Sequence, residues 1–248
     1  MTEIQSLARG LKILEILSRA DQGTGITDLA AELGVDKASA SRLVSTLALY
    51  GFAEKDAATR RFHLGPRLVH LGRAVLDRSS LRALAGPYLR TLMQETGECA
   101  HLAILAQGQA LYIDQVESPA TLRVNAQVGT LNPLHCTALG KVLLAWSGIP
   151  IPSRLEAYTP GTITSPRLLD EHLGQVKQQG FALDIEEMDP GVCCIAAPIF
   201  DWLGDLAGAM GISGPSTRLL PEKMPALSAT VQEVCHALST RLAFEKQE

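Results

Sequence analysis

Six polar side chains between residues 37 and 46 have the types and the spacing that bind a nucleic acid. They comprise two cations and four hydroxyls with no acidic residue among them, namely Lys37, Ser39, Ser41, Arg42, Ser45 and Thr46. An arginine can make two hydrogen bonds to a guanine edge, and short hydroxyls can bond phosphates while a helix lies deep in the major groove. The chemistry predicted for this segment is recognition of double-stranded DNA.

The elements that must position these residues are two short helices within residues 25 to 51. Apolar residues recur at i, i+3, i+4 and i+7 in each, at Ile26, Leu29, Ala30 and Leu33 and then at Ala40, Leu43, Val44 and Leu47. Gly34 supplies the positive φ of a sharp turn, and Asp36 is placed to cap the second helix. The pattern predicts a helix-turn-helix, although paired amphipathic helices also occur in all-helical cores.

The flanking segments favour the DNA-binding alternative. Residues 6 to 18 predict a supporting helix that buries Leu7, Leu11, Leu14 and Leu17 and exposes Arg9. Residues 52 to 65 alternate around a turn and predict a β-hairpin, which would form a wing with Lys55, Arg60 and Arg61 at its tip. Any exposed hairpin carries some cations, but the order helix, helix-turn-helix and hairpin favours the wing.

Charge is divided unevenly along the 248 residues, whose formal net charge is -4. Residues 1 to 80 carry eleven Lys and Arg against nine Asp and Glu, whereas residues 81 to 248 carry eleven against seventeen. The first segment is therefore +2 and the second -6. A local positive field, not the total charge, meets phosphates, so the division agrees with the predicted DNA-binding segment.

The rest of the chain predicts a linker helix and an α+β domain. Pro66 opens a helix to about residue 80. Beyond it we expect helices over residues 81–96, 136–146, 153–158, 168–179 and 222–245, a hairpin around residues 107–109, and strands over residues 121–127, 181–186, 194–200 and 205–213. Because no regular βαβ repeat occurs, an antiparallel sheet is expected. The predicted domains are residues 1–65, 66–80 and 81–248.

The five cysteines form no C-x-x-C pair, and no apolar run is long enough for a signal peptide or a membrane span. Reduced thiols, a cytoplasmic location and no contact with a membrane are expected.

Several segments of the chain resemble the IclR family of bacterial transcriptional regulators. In the N-terminal part these are SLARGLKILEIL, the helix-turn-helix and the wing ending FHLGPRL, and in the C-terminal part PLHCTALGKVLLA, DIEEMDPGVCCIAAPIFD and GISGP. The resemblance implies a winged helix-turn-helix, a linker helix and a GAF-like effector domain with an antiparallel sheet. It also implies a dimer or tetramer on a near-palindromic operator, and a repressor is expected rather than an activator.

The resemblance also implies where an effector binds. It places these residues at the pocket: Val124, Thr137, Ala138, Leu139, Asp184, Val192, Cys194, Gly211 and Ser213. Three positions depart from the family pattern. Cys193 stands where arginine is frequent, Gly211 where serine is frequent, and Arg60 where the wing often turns on glycine.

The residues themselves favour a small carboxylate as the effector, such as a sugar acid, a keto acid or an aromatic acid. Residues 137 to 140 would open a helix, whose N-terminus attracts anions, and Thr137 and Ser213 add hydroxyls. Alternatively, Thr137 only caps its helix and Ser213 bonds a neighbouring strand. Asp184 and Glu187 are unexpected beside an anion, and they would bond effector hydroxyls or face solvent.

The residues leave three other functions open. Gly140-Lys141 lacks the other P-loop residues, and GISGP lacks the last glycine of a nucleophile elbow, so an enzyme would depend on Cys194 with His101 or His135. A metal site could draw on Cys99, Cys136 and Cys193 as well, but none has zinc-ligand spacing. The third alternative is a protein-interaction module whose helix-turn-helix no longer binds DNA. We predict a regulator that is not an enzyme and has no metal or cofactor.

Overall fold

The computed structural model describes residues 4–77, 80–124 and 126–245, and the chain forms two compact units, residues 1–78 and 79–248. Residues 78 and 79, at the end of the predicted linker helix, lie outside the described residues. The first unit contains α1 (Gln5–Ser18), α2 (Ile26–Leu33), α3 (Lys37–Leu49), β1 (Ala53–Lys55), β2 (Phe62–Leu64) and α4 (Arg67–Asp77).

The turn between α2 and α3 forms as the sequence predicts. Gly34 has φ 63°, in the left-handed region, so the chain turns sharply after α2. Asp36 then accepts a hydrogen bond from the Ser39 backbone N–H at 2.9 Å and caps α3. Leu29 of α2 and Val44 of α3 are fully buried, so the two helices meet along their predicted stripes.

The buried face of α1 differs from the predicted leucine stripe. Ile13, Ile16 and Leu17 are buried, whereas Leu7 and Leu11 are 61% and 56% exposed. The leucines at intervals of three and four residues follow one side of the helix, but α2, α3 and β2 pack against its C-terminal half on a neighbouring side. The prediction for Leu7 and Leu11 was therefore wrong.

The second unit is an α+β domain built on one antiparallel sheet. Its elements are α5 (Ser80–Thr96), β3 (Cys99–Ala106), β4 (Gln109–Val116), β5 (Leu131–Asn132), α6 (Ala138–Ser147), α7 (Pro166–Gln179), β6 (Ala182–Ile185), β7 (Val192–Phe200), β8 (Leu206–Pro215) and α8 (Met224–Glu245). The six strands lie in the order β5-β4-β3-β8-β7-β6. Helices α6 and α7 form one apolar cluster with alanines of β3, β7 and β8, while α5 and α8 pack on each other and against the sheet.

The strand predicted over residues 121–127 is absent from the described part of that segment. The carbonyl of Leu122 accepts a hydrogen bond from Arg218, and Arg123 pairs with Glu117, so side chains hold this segment in place of a strand ladder. The sheet edge is formed instead by β5, which pairs with Ala110 and Leu111.

The short helix predicted over residues 153–158 was also wrong. The Thr162 hydroxyl accepts hydrogen bonds from the backbone N–H groups of Tyr158 and Thr159, and His135 bonds the carbonyl of Glu156. These side-chain bonds satisfy backbone groups that a helix would have paired.

None of the helices in the described ranges combines the length and the apolar character of a bilayer span.

Candidate functional site

The exposed face of α3 carries most of the predicted DNA-binding side chains. Lys37, Arg42, Ser45 and Thr46 are exposed, and Ser39 and Ser41 are half-buried. Ala40 and Val44 on the opposite face are fully buried against α1 and α2, which fixes the rotation of α3 about its axis. The helix therefore presents cations and hydroxyls together on one side.

Internal hydrogen bonds already hold part of this face. The Ser39 hydroxyl donates to Asp36 at 2.7 Å and accepts from the Arg42 guanidinium at 3.2 Å. Thr46 donates its hydroxyl to the Arg42 carbonyl at 2.9 Å. Lys37 and Ser45 are exposed on the same face and take no part in these hydrogen bonds. The bonds restrict the Arg42 guanidinium before any contact with DNA.

The wing turns at Arg60, which has φ 59° in the region that glycine adopts at least cost. Its backbone N–H bonds the Asp56 carbonyl at 2.9 Å, so the turn closes with the arginine in place. Arg61 donates to the carbonyl of Gly23 at 2.8 Å and so ties the wing to the segment before α2. Lys55, Arg60 and Arg61 of the wing are exposed, whereas Arg9 on α1, which the sequence predicted to be exposed, is half-buried.

Strand register in the second unit brings a row of polar side chains onto one face of the sheet. Asp184 of β6 lies opposite Cys194 of β7, which lies opposite Ser213 of β8. Ser213 in turn faces Cys99 of β3, so His101, two residues further along β3, shares the same face. Tyr112 of β4 joins them because it pairs with Ala103.

This face forms one wall of a cavity of about 330 Å³, within the size range of small-molecule sites. Six of the nine predicted effector residues line it, and these are Val124, Thr137, Asp184, Val192, Cys194 and Ser213. The remaining lining residues were not predicted from the sequence, and they are His101, Tyr112, Ala126, Gln127, Thr130, Asn132, Met188 and Asp189. Alternation along β3 and β4 is the signal that could have placed His101 and Tyr112.

Ala138, Leu139 and Gly211 are not among the lining residues. Ala138 and Leu139 are buried in the apolar cluster of α6 and α7. Gly211 shares the face of Ser213, but a Cβ atom there would lie 2.1 Å from the Ile195 carbonyl oxygen. This close backbone approach leaves no room for the serine frequent in the family.

Thr137 and Ser213, which both line the cavity, make hydrogen bonds within the protein. The Thr137 hydroxyl accepts from the Gly140 N–H at 3.1 Å and donates to the Pro133 carbonyl at 2.8 Å, so it caps α6. Oγ of Ser213 lies 2.6 Å from Nε2 of His101. The internal bonds that the sequence left as an alternative are therefore present, at residues that also border the cavity.

Asp184 is the buried acid of the cavity, and neither it nor Glu187 faces solvent. Burial raises the pKa of Asp184 to about 6, although the carboxylate accepts the Glu187 backbone N–H at 2.8 Å. The Glu187 carboxylate pairs with Lys141, whose side chain is completely buried in α6, at 2.5 Å. From the sequence, Lys141 was interpreted only as part of a possible P-loop, and its ion pair with Glu187 was not predicted.

The contacts of the cysteines and histidines bear on the two alternatives of a cysteine-dependent enzyme and a metal site. Hydrogen bonds of His101 and His135 go to Ser213 and to the Glu156 carbonyl, and Cys194 lies opposite Asp184 in the sheet. Burial raises the pKa of the Cys194 thiol well above its usual value, which disfavours the thiolate a nucleophile needs. Over the described ranges, no three His, Cys, Asp or Glu side chains are grouped as a metal site requires.

Comparisons with known proteins agree with both units. The model of the IclR helix-turn-helix domain matches residues 6–57, and the model of the bacterial transcriptional regulator IclR C-terminal domain matches residues 73–240. The regulator BhcR of Paracoccus denitrificans is 38% identical over 98% of this chain and 89% of its own length. The transcriptional repressor IclR of Escherichia coli is 33% identical over 92% of this chain and 86% of its own.

A solved structure shows the same architecture. The IclR crystal structure from Thermotoga maritima is 27% identical, covers 97% of this chain and 100% of that one, and superposes with a TM-score of 0.76. The matched domains and relatives are transcriptional regulators and not enzymes. The chain belongs to the IclR family of bacterial transcriptional regulators, with a DNA-binding helix-turn-helix domain followed by an effector-binding C-terminal domain.

Proposed function

We propose that this regulator binds a near-palindromic operator as a dimer or a dimer of dimers, and that it represses transcription until a small organic acid binds and releases it from the DNA. The observation that carries the proposal is the presence of two sites of different character. One is the exposed polar face of α3, and the other is the cavity bordered by Asp184, Cys194 and Ser213. A repressor is favoured because a relative of 33% identity bears that name.

The geometry of the first unit supports the proposed DNA contacts. Arg42 stands exposed on α3 with its guanidinium held by Ser39, which suits a two-bond contact to a guanine edge. Lys37 and Ser45 bond phosphates, and Arg60 at the wing tip meets the backbone beside the groove. A second copy of the chain places a second α3 one helical turn away, roughly 34 Å along the DNA.

The acid is held by hydrogen bonds and not by an ion pair, because the described lining residues include no lysine or arginine. The dipole of α6, whose N-terminus Thr137 caps at the border of the cavity, favours negative charge there. With its pKa raised to about 6, Asp184 can hold a proton and donate it to an effector carboxylate, and a nearby anion raises that pKa further. When protonated, Asp184 is uncharged, so its carboxyl group can lie beside an anionic effector without repelling it.

The two sites are coupled by linkage. An acid that binds one arrangement of the oligomer more tightly shifts the population toward it, and residues 66–80 carry the change to the spacing of the two α3 helices. DNA must then change the affinity for the acid by the same factor, typically about 5- to 150-fold.

Two measurements test the proposal. Acetate, lactate, pyruvate and benzoate are screened for a rise in melting temperature, since a ligand of the folded state stabilises it. DNA from the region upstream of the chain's own coding sequence is then titrated by fluorescence anisotropy with and without the most stabilising acid. We expect that acid to weaken binding at least fivefold. If no acid changes the melting temperature or the DNA affinity, the proposed effector class is wrong.

The operator symmetry is tested separately. Each half of the bound site is scrambled in turn, and a two-fold symmetric complex loses affinity comparably in both cases. Light scattering must give at least two chains per complex. A monomer bound to a single half-site would contradict the proposed oligomer without touching the effector class.

A further inference from the structure

His101 and Ser213 form a buried hydrogen-bonded pair at the wall of the cavity. Nε2 of His101 lies 2.6 Å from Oγ of Ser213, and the two residues are 3% and 4% exposed. The His101 ring also meets the Tyr112 ring edge to face, with centroids 5.7 Å apart. Because these contacts fix the ring, the direction of the His101–Ser213 hydrogen bond decides what the pair offers to a ligand.

Burial settles the charge of the ring. Desolvation lowers the pKa of His101 to about 4, so the imidazole is neutral near pH 7 and carries one ring hydrogen. That hydrogen resides on Nε2 or on Nδ1. If it were on Nδ1, the Ser213 hydroxyl would have to donate to Nε2.

The surroundings of Nδ1 favour the other tautomer. Nδ1 is buried and has no hydrogen-bond partner among the described residues. A buried N–H group without an acceptor is rarer and costs more than an unpaired lone pair. The ring hydrogen therefore belongs on Nε2, from which it is donated to Oγ of Ser213.

This direction leaves the hydrogen of the Ser213 hydroxyl free. Within the described ranges, the bond to His101 is the one recorded for Oγ of Ser213. Ser213 borders the cavity, so its hydroxyl hydrogen is available to an acceptor atom there. In the opposite direction the hydroxyl hydrogen would be committed to His101, whereas in this direction it can be donated to a ligand.

We propose that His101 is a positioning residue that holds Ser213 as a hydrogen-bond donor toward the effector. The pair then selects an oxygen acceptor on the ligand at this end of the cavity, such as a carboxylate or carbonyl oxygen. The inference rests on the proposed binding of an organic acid in the cavity. His101 acts through Ser213 and makes no hydrogen bond to the ligand itself, because Nε2 donates to Ser213 and Nδ1 is buried.

Nitrogen NMR of the full chain without any effector tests the hydrogen-bond direction. The chain has six histidines, and labelling them with ¹⁵N allows His101 to be assigned by the signal that His101→Gln removes. We expect a protonated Nε2 and an unprotonated Nδ1 at pH 7. A hydrogen on Nδ1, or on both nitrogens, overturns the inference whether or not an acid is the effector.

Binding of the four acids to variants tests the consequence. His101→Phe keeps a ring without the donor, and Ser213→Ala removes the hydroxyl. Each is expected to weaken the tightest acid about tenfold, and the double variant no further, because both changes remove the same hydrogen bond. His101→Gln should restore most of the affinity, since its amide nitrogen can donate from near the position of Nε2.

The outcomes separate this inference from the proposed function. Losses that multiply to about a hundredfold in the double variant show that His101 acts independently of Ser213 and overturn the inference. If none of the acids binds the original chain, the proposed effector class fails and the selection of an acceptor fails with it. Unchanged melting temperatures without acid establish that the variants fold. If His101→Phe does not fold, acid binding to His101→Gln and the NMR result test the inference instead.

Discussion

The two units of the chain place the charged side chains of their candidate sites in opposite environments. In the DNA-binding head, residues 1–78, Lys37, Arg42 and Arg60 are exposed. In the effector domain, residues 79–248, Asp184 is buried at the cavity and Lys141 is buried in α6 against Glu187. An exposed cation contributes mainly through its field, which salt screens, whereas a buried charge is strong only if a partner satisfies it. The difference suits a polyanion in one case and a small molecule in the other.

The comparison implies that charge removal costs stability in one unit and affinity in the other. In the effector domain, loss of a buried partner leaves an uncompensated charge in a poorly solvated place. In the head, loss of an exposed cation leaves the core of α1, α2 and α3 intact and changes only what the surface binds. The following predictions examine this contrast in order of decreasing effect.

Lys141→Met should have the largest effect. It leaves the Glu187 carboxylate buried without its cation, and the expected loss in the free energy of unfolding is about 3 to 5 kcal/mol. Trp146 and Trp202 are the only tryptophans and both lie in the effector domain, so their fluorescence during urea unfolding reports this unit. The control is Lys141→Met with Glu187→Leu, which should recover most of the loss. A cost below about 1 kcal/mol for the single variant would show that the pair is not effectively buried.

Asp184→Asn should change the pH dependence of stability. Burial raises the pKa of Asp184 to about 6, so the folded state favours the protonated acid, and this contribution is present below about pH 4 and lost as pH rises through 6. The asparagine does not titrate. Between pH 4 and 7 the original chain should therefore lose about 2 to 3 kcal/mol relative to the variant.

Urea unfolding across this pH range measures the effect of Asp184→Asn. Asp189→Asn is the matched control, because Asp189 borders the same cavity but is exposed. Parallel stability curves for the original chain and Asp184→Asn would contradict the assignment of Asp184 as the acid that burial affects.

Arg42→Ala should weaken operator binding by about 1 to 3 kcal/mol and relax the preference for one base pair, if its guanidinium reads a guanine. The tryptophan-monitored stability of the effector domain should stay the same. Anisotropy titrations with the operator and with single-base variants measure both quantities. Ser45→Ala, on the same helix face, is the control with a smaller expected loss, and equal weakening on every sequence would reduce Arg42 to a phosphate contact.

Arg60→Gly should have the smallest effect on affinity and a specific effect on salt dependence. Glycine accepts the positive φ of residue 60, so the turn is kept while the charge is removed. One lost phosphate contact lowers the slope of log affinity against log salt by about 0.9. Arg90→Ala removes one exposed charge outside the head as a control, and an unaltered slope for Arg60→Gly would place the wing tip outside the DNA interface.

Much of the fold could be predicted because its signals are local. The Gly34 turn, the Asp36 cap and the Gly180 end of α7 depend on residues within a few positions of each other. The predictions for residues 121–127 and 153–158 were wrong because the structure of these segments depends on contacts that are not local. Their backbone groups are satisfied by side chains distant in sequence, such as Arg218 and His135, which no local pattern displays.

The sequence by itself determined that this chain has a helix-turn-helix with a cationic face, an antiparallel domain and the order of its elements, since periodicity and capping act over one or two turns. Only the tertiary structure decided which groups meet. Strand register set Asp184, Cys194 and Ser213 in one row and brought His101 to Ser213, and helix packing buried Lys141 against Glu187. These contacts join residues up to 112 positions apart, and their energies depend on burial, which exists only once the chain has folded.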